Sequence, residues 1–282
     1  MFWKATLAQT GFLLKRKGAV FTFYILLAMV LANFAGNVIA FQGMDVVNMY
    51  HPMKILLLSY DRVNYNADFT ILIVQLYPLL AACPAGFALA RERQTGQDVL
   101  MAARLGNLTY RFSKLTAAAL ATAIVFSAPF LIEIGLNCLA FPLGAQGDLS
   151  NQSAYDPAYI RTVKNYLFSG LYLCSPYLYA VLGTLFFGVL SGLICGFTAA
   201  FASIFKVKFR ALLILPPFLL LNASVYLSSL CSDSGFSIPW YHYFLLFDEE
   251  TKSPIYLCTV IAVLLLGAVT GTLWGGKRDC IP

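Results

Sequence analysis

From Asn165 to Phe205 the chain runs for 41 residues without a charged side chain. As one straight helix this run would be about 60 Å long. Hydrocarbon offers the backbone no water to bond, so a run of this kind satisfies its own polar groups as helix. Further charge-free runs follow the same logic. Ala19–Phe41 is the first and Phe69–Ala90 the second. Leu115–Leu143 is broken only by Glu133, and Ala211–Ser232 and Pro254–Gly276 complete the set. Charged residues are 11% of the chain and hydrophobic ones 60%, against about 25% charge in a soluble domain. That balance excludes a soluble globular protein, a disordered chain and a nucleic-acid binder. Seven Cys scattered through 282 residues also exclude a disulfide-stapled secreted module. At about 20 residues per crossing, the length accommodates roughly six to eight helices and little else.

Loop charge decides whether 165–205 crosses once or twice. With one crossing, Lys4, Lys15, Arg16, Lys17, Arg91, Arg93, Arg104, Arg111, Lys114, Lys206, Lys208, Arg210, Lys277 and Arg278 share a side, which is 14 of 19 basic residues. With two, the split is 10 to 9. The positive-inside rule favours the first. The expected fold is therefore all-α and polytopic, with six transmembrane helices and both termini cytoplasmic. The spans are 19–41, 69–90, 115–143, 175–205, 211–232 and 254–276. Residues 1–18 form an interfacial helix, 91–114 a cytoplasmic loop and 233–253 an outer loop. Asn165–Cys174 is expected as an outer amphipathic piece that bends near Pro176. Three outer loops hold nine acids: Asp45, Asp61, Asp68, Asp148, Asp156, Asp233, Asp248, Glu249 and Glu250. The net charge of +6 is then a topology signal. The 23-residue first run exceeds a signal-peptide core of about 7–15 residues, so no cleavage is expected.

The catalytic inventory is sparse. No G-x-x-x-x-G-K-[ST] occurs, and Gly275-Gly276-Lys277 is only a fragment of it at a membrane exit. Two His, His51 and His242, cannot supply a His-based zinc cluster. Cys83, Cys138, Cys174, Cys195 and Cys258 lie in or beside apolar runs, where Cys behaves as a small hydrophobe; a bridge from Cys231 to Cys138 or Cys174 stays open. Asn107 heads a sequon on the cytoplasmic side, and Asn151 heads one outside.

Met1–Lys17 sets Phe2, Trp3, Leu7, Leu13 and Leu14 among Lys4, Lys15, Arg16 and Lys17, the pattern of an amphipathic helix lying in the inner interface. The loop 91–114 is more informative. Asp98 suits a helix N-terminus. Val99, Met101, Ala102, Ala103 and Leu105 are apolar in a water-facing segment and call for a covering surface.

In this loop Glu92, Arg93, Gly96, Leu100, Ala103 and Lys114 stand at or within one residue of a pattern in which Glu-Arg-x-x-Gly leads through a short Leu-rich helix to a Lys before the third span. Together with the interfacial helix and six spans, the chain resembles a permease subunit of an ABC transporter of the type-2 exporter class. Arg104-Leu105-Gly106 stands where that family usually has Pro. The resemblance implies a subunit without catalysis of its own in an ATP-driven exporter of the bacterial plasma membrane. It implies a second permease chain as homo- or heterodimer, and separate ATPase subunits that hold the ATP and Mg. Those ATPases would dock on a coupling helix through Glu92, Arg93, Gly96, Val99, Leu100 and Leu105. The substrate range is a peptide, lipid or drug. The chain itself would need no cofactor, metal or nucleic acid.

Two spans carry glycine ladders, Gly188, Gly192, Gly196 and Gly267, Gly271, Gly275, which permit close helix packing. Pro78, Pro84, Pro129, Pro176, Pro216 and Pro217 fall in spans and permit kinks. Phe236–Phe247 reads either as an aromatic belt or as a short helix capping a translocation path. Glu133 is the one ionisable residue well inside a span, where a charge costs about 2.5–3.5 kcal/mol. It shares a helix face with Asn137. Either it bonds a neighbouring helix through Asn33, Asn37 or Gln75, or Glu133 and Asn137 line a substrate path. A secondary transporter or channel without an ATPase, and an intramembrane enzyme, are the competing functions. The single buried charge and the sparse catalytic inventory weigh against them.

Overall fold

The computed structural model describes residues 2–43, 51–60, 67–144, 163–205, 209–230 and 235–278. The expectations for Lys206, Lys208, Asn151 and Cys231, and for Asp45, Asp61, Asp148, Asp156 and Asp233, lie outside them. Among the described residues there is no strand, only an isolated parallel bridge between Ser59 and Leu246. The helices are α1 (Phe2–Leu14), α2 (Lys17–Phe41), α3 (Ala67–Ala82), α4 (Ala88–Thr95), α5 (Gln97–Leu105), α6 (Asn107–Ala140), α7 (Ser169–Cys174), α8 (Pro176–Ile204), α9 (Leu215–Leu230) and α10 (Pro254–Arg278). Five segments are long and apolar enough to cross a membrane: α2, α6, α8, Ala211–Ser228 around α9, and most of α10. The chain is thus a helical, multi-pass membrane protein.

Three expected boundaries are corrected. The second run, 69–90, is not one helix. It stops at Ala82, turns through Cys83–Phe87 and restarts as α4, because Pro84 withholds a backbone N–H and resists a continuous helix. The 16-residue α3 is shorter than the five long segments. The loop 91–114 is mostly helix: α4 runs on to Thr95 and α6 begins at Asn107, eight residues before the expected span. Only α5 lies between, bracketed by Gly96 and Gly106 at φ 70° and 81°. These are backbone conformations that glycine adopts without steric cost. Proline kinks are also fewer than expected. Pro78 and Pro129 are interior to helices, whereas Pro176 is the first residue of α8 and Pro216 and Pro217 lie in the first turn of α9, where a missing N–H costs nothing.

The chain breaks just before Pro176, where the bend was expected. A turn at Val163–Asn165 and the short α7 lead to an extended Ser175, whose hydroxyl accepts from the Leu178 N–H at the head of α8. Cys138 and Cys174 carry free thiols.

The centre of the bundle is α8, packed between α6 and α10. Gly188 and Gly192 lie so close to the α6 carbonyls of Ala123 and Ala119 that a Cβ would collide with them. Gly267 meets the Phe197 ring, Gly271 meets Ala200, and Gly275 meets Ser203. Gly196 has ordinary space. The first ladder therefore packs α8 onto α6, and the second packs α10 onto α8. Helix α1 turns a mostly polar face inward, with Leu13 buried beside it. Thr6, Gln9 and Thr10 face inward, with Gln9 Nε2 donating to Ser113 Oγ at 3.2 Å, while Trp3, Leu7 and Phe12 are exposed. An apolar outward face suits a helix against lipid or its interface.

One end of the bundle is closed by two inserted loops. Residues 51–60 bury Met53, Ile55, Leu56, Leu57 and Leu58 almost completely. Residues 240–248 begin with a helical turn at Trp240–Tyr243 and bury Phe247 fully. The two loops exchange backbone bonds. Tyr60 N–H donates to Leu246 O at 2.9 Å, and Leu246 N–H donates to Leu58 O at 2.8 Å. We call this the cap end.

Candidate docking loop and buried polar clamp

The six residues expected to dock a partner divide into two sets. Val99 and Leu100 are 67% and 69% exposed on α5, and Met101 beside them is half-exposed. Leu105 is half-buried and Gly96 supplies the bend between α4 and α5. Glu92 and Arg93 turn inward. Glu92 Oε1 pairs with Arg16 at 2.7 Å and with Lys114 at 2.5 Å, and its Oε2 accepts from the Tyr110 hydroxyl at 2.5 Å. Glu92 and Lys114 are both buried. One carboxylate thus joins the α1–α2 junction, α4 and the start of α6. Arg93 donates to the Ala202 carbonyl at 3.0 Å in the last turn of α8, where a cation complements the helix dipole. Both residues thus make contacts inside this chain, Glu92 buried and Arg93 half-buried. Their charges are spent on bracing the base of α5, and the apolar tip is left outside. The sequence signal was the Glu-Arg pair itself. Its partners, Arg16 and Tyr110, stand 76 and 18 residues away from Glu92, beyond the span of any local pattern.

At the cap end the second constellation surrounds Glu133. An inserted loop brings backbone groups into an apolar interior, and each one left unpaired would cost free energy. The side chains of α2, α3 and α6 supply the partners. Glu133 Oε1 accepts from the Leu57 N–H at 2.8 Å and from Asn33 Nδ2 at 2.7 Å. Asn33 and Asn37 both donate to the Ile55 carbonyl, at 3.1 and 2.8 Å. Asn137 donates to the Pro52 carbonyl at 3.0 Å, and Thr70 donates to the Leu57 carbonyl at 3.0 Å. Glu133 is 1% exposed and Asn137 is fully buried. Glu133 bonds a neighbouring helix, with Asn33 of α2 as the partner. Glu133 and Asn137 hold the 51–60 loop in place.

The second inserted loop has its own polar anchor. His242 Nδ1 lies 2.6 Å from Asp248 Oδ2, and Lys252 Nζ donates to the Asp248 carbonyl at 2.7 Å. Burial holds the Lys252 ammonium below its usual range, against the opposing pull of Asp248 and Glu250. Trp240 stacks on Tyr77 at 4.9 Å between centroids, so the turn expected as belt or cap is packed down onto α3. Among the described residues no cluster of His, Cys, Asp or Glu is arranged to hold a metal ion. No protein-family model, curated protein or solved structure matches this chain.

Proposed function

We propose that this chain is the membrane-spanning subunit of an ATP-driven exporter, with six crossings, cytoplasmic termini and a separate ATPase docking on α5. One observation carries the reading. A nine-residue helix presents Val99 and Leu100 to solvent, and its base is braced by one buried carboxylate to three other elements. Exposed apolar side chains need a covering surface. A surface so braced transmits force to α6 and α8 instead of yielding locally. In this reading α3, the turn at Cys83–Phe87 and α4 together make the second crossing. The cap-end loops close the far side, and the ATPase-driven movement of α4 and α5 withdraws them. A second permease chain completes the path.

The test is co-expression with a P-loop ATPase encoded beside this chain, followed by affinity capture. Val99→Asp combined with Leu100→Asp places two charges on the exposed tip without touching the bundle. It should leave membrane insertion intact and abolish ATPase retention. Unchanged capture by the double variant removes α5 as the docking surface. Saturable ATP hydrolysis by the isolated chain removes the proposal altogether.

A further inference from the structure

Between α8, α9 and α10, directly under the 240–244 turn, lies a cavity of about 520 Å³. This volume is in the range of ligand sites, roughly 300–1,000 Å³. We propose that it is a binding slot for an acyl chain of a membrane lipid, with the head group at the cap end. The proposal rests on the membrane-spanning class alone and stands whether or not the exporter reading does.

The lining is graded. At the cap end stand Trp240, Tyr243 and Tyr256, aromatic residues with polar tips; deeper in stand Leu190, Ile194 and Leu264. From Tyr256 to Leu264 along α10 is about 12 Å. Aromatic groups with one wet and one apolar edge are the side chains that meet head groups, while the aliphatic depth offers only dispersion contacts. Of the hydroxyls along the slot, those of Ser224, Tyr243 and Thr259 are already engaged, and that of Tyr256 stands at the cap end. Ser224 Oγ accepts from the Trp240 N–H and donates to the Leu221 carbonyl. Thr259 donates to the Ile255 carbonyl. The Tyr243 hydroxyl donates to the Ser237 carbonyl and accepts from the Ser253 N–H. A ligand with polar groups along its length would bury them without partners and lose free energy. A polymethylene chain has none to lose.

The experiment uses the full chain in phosphatidylcholine vesicles whose acyl chains are brominated at mid-chain, with tryptophan fluorescence as the readout. Trp3→Phe with Trp274→Phe leaves Trp240 as the reporter. Strong quenching of Trp240 is expected. Filling the slot with Ala223→Phe and Val260→Phe should remove most of that quenching. A sole-Trp274 reporter, 61% exposed on α10, should keep its quenching in the filled variant. Ala223→Leu, a smaller filling, should give a partial loss and carries the same comparison where the double variant does not fold by circular dichroism. Trp240 quenching that is absent, or equal in open and filled forms, overturns the slot and leaves only annular lipid.

Discussion

Removing the Glu133 side chain strands two buried donors, the Leu57 N–H and the Asn33 amide. Asn33 retains its bond to the Ile55 carbonyl, so Leu57 bears the larger loss. Each buried donor left without a partner costs about 1–3 kcal/mol. Glu133→Ala should therefore lower the detergent melting temperature and speed hydrogen exchange at Met53–Leu58. Glu133→Gln keeps an oxygen where Oε1 stands and should preserve both properties; equal damage from Gln and Ala would show that the charge, not the acceptor, is what matters. His51 adds a pH dependence to the same loop. Its Nδ1 accepts from the Met53 N–H at 3.2 Å. Burial, with a smaller contribution from the Lys54 ammonium, pushes the imidazole down from 6.5 to about 4. A group whose folded value is depressed binds its proton more readily when the loop is released. Its contribution is full above about pH 6.5 and is lost as pH falls toward about 4, at most about 3 kcal/mol. After correction for intrinsic rates, exchange at Met53–Leu58 should rise through this window. His51→Asn, which can still accept from Met53, should flatten the rise. A rise of the same size in the Asn variant would assign the effect to another group.

At the scale of elements, α4 and α5 are separate units joined at Gly96, and Glu92 ties α4 to the α1–α2 junction and to α6. Breaking a buried ion pair by deleting one partner costs about 3–5 kcal/mol, because the remaining charge is stranded. Here two cations, Arg16 and Lys114, would be stranded. Glu92→Ala should destabilise the fold by that order and loosen α1 from the bundle. Protease sensitivity between Leu14 and Lys17, compared with that of Val99→Asp, is the measurement. Equal protection in both variants would mean that α1 is held by its polar contacts with α6 alone. The presence of α5 was legible in the sequence from Asp98 and the apolar cluster after it. The inward turn of Glu92 was not, because a Glu-Arg pair in a predicted cytoplasmic loop reads as solvated charge until Arg16, Tyr110 and Lys114 are brought around it.

For the whole molecule, the pairing of two inserted loops is the feature that closes one end. Ser59 and Leu246 form the bridge between them. Ser59→Cys with Leu246→Cys, in a background where Cys138, Cys174 and Cys258 are Ser, should form a disulfide under mild oxidation, scored by loss of maleimide labelling. On the exporter proposal, the oxidised form should stop ATP-coupled transport in the complex with the ATPase, and reduction should restore it. Ready oxidation with undiminished transport would mean that the loops stay paired through the cycle and are not a gate.

What the sequence by itself determined is what depends on composition and period. These are the membrane class, the positions of most long helices, the helix in the 91–114 segment and the packing faces of the glycine ladders. Each follows from a property carried by contiguous or regularly spaced residues, such as the lack of charge from Asn165 to Phe205. Tertiary structure alone decided the rest. The apolar stretch Met53–Leu58 reads as a short greasy loop, and nothing local says that it enters the bundle. It can do so because Asn33, Asn37, Thr70, Glu133 and Asn137, spread over three helices, converge on its peptide groups. A backbone segment is stable in an apolar interior only when its polar groups are matched. That matching is a relation among distant residues, so it exists only once α2, α3 and α6 are packed together.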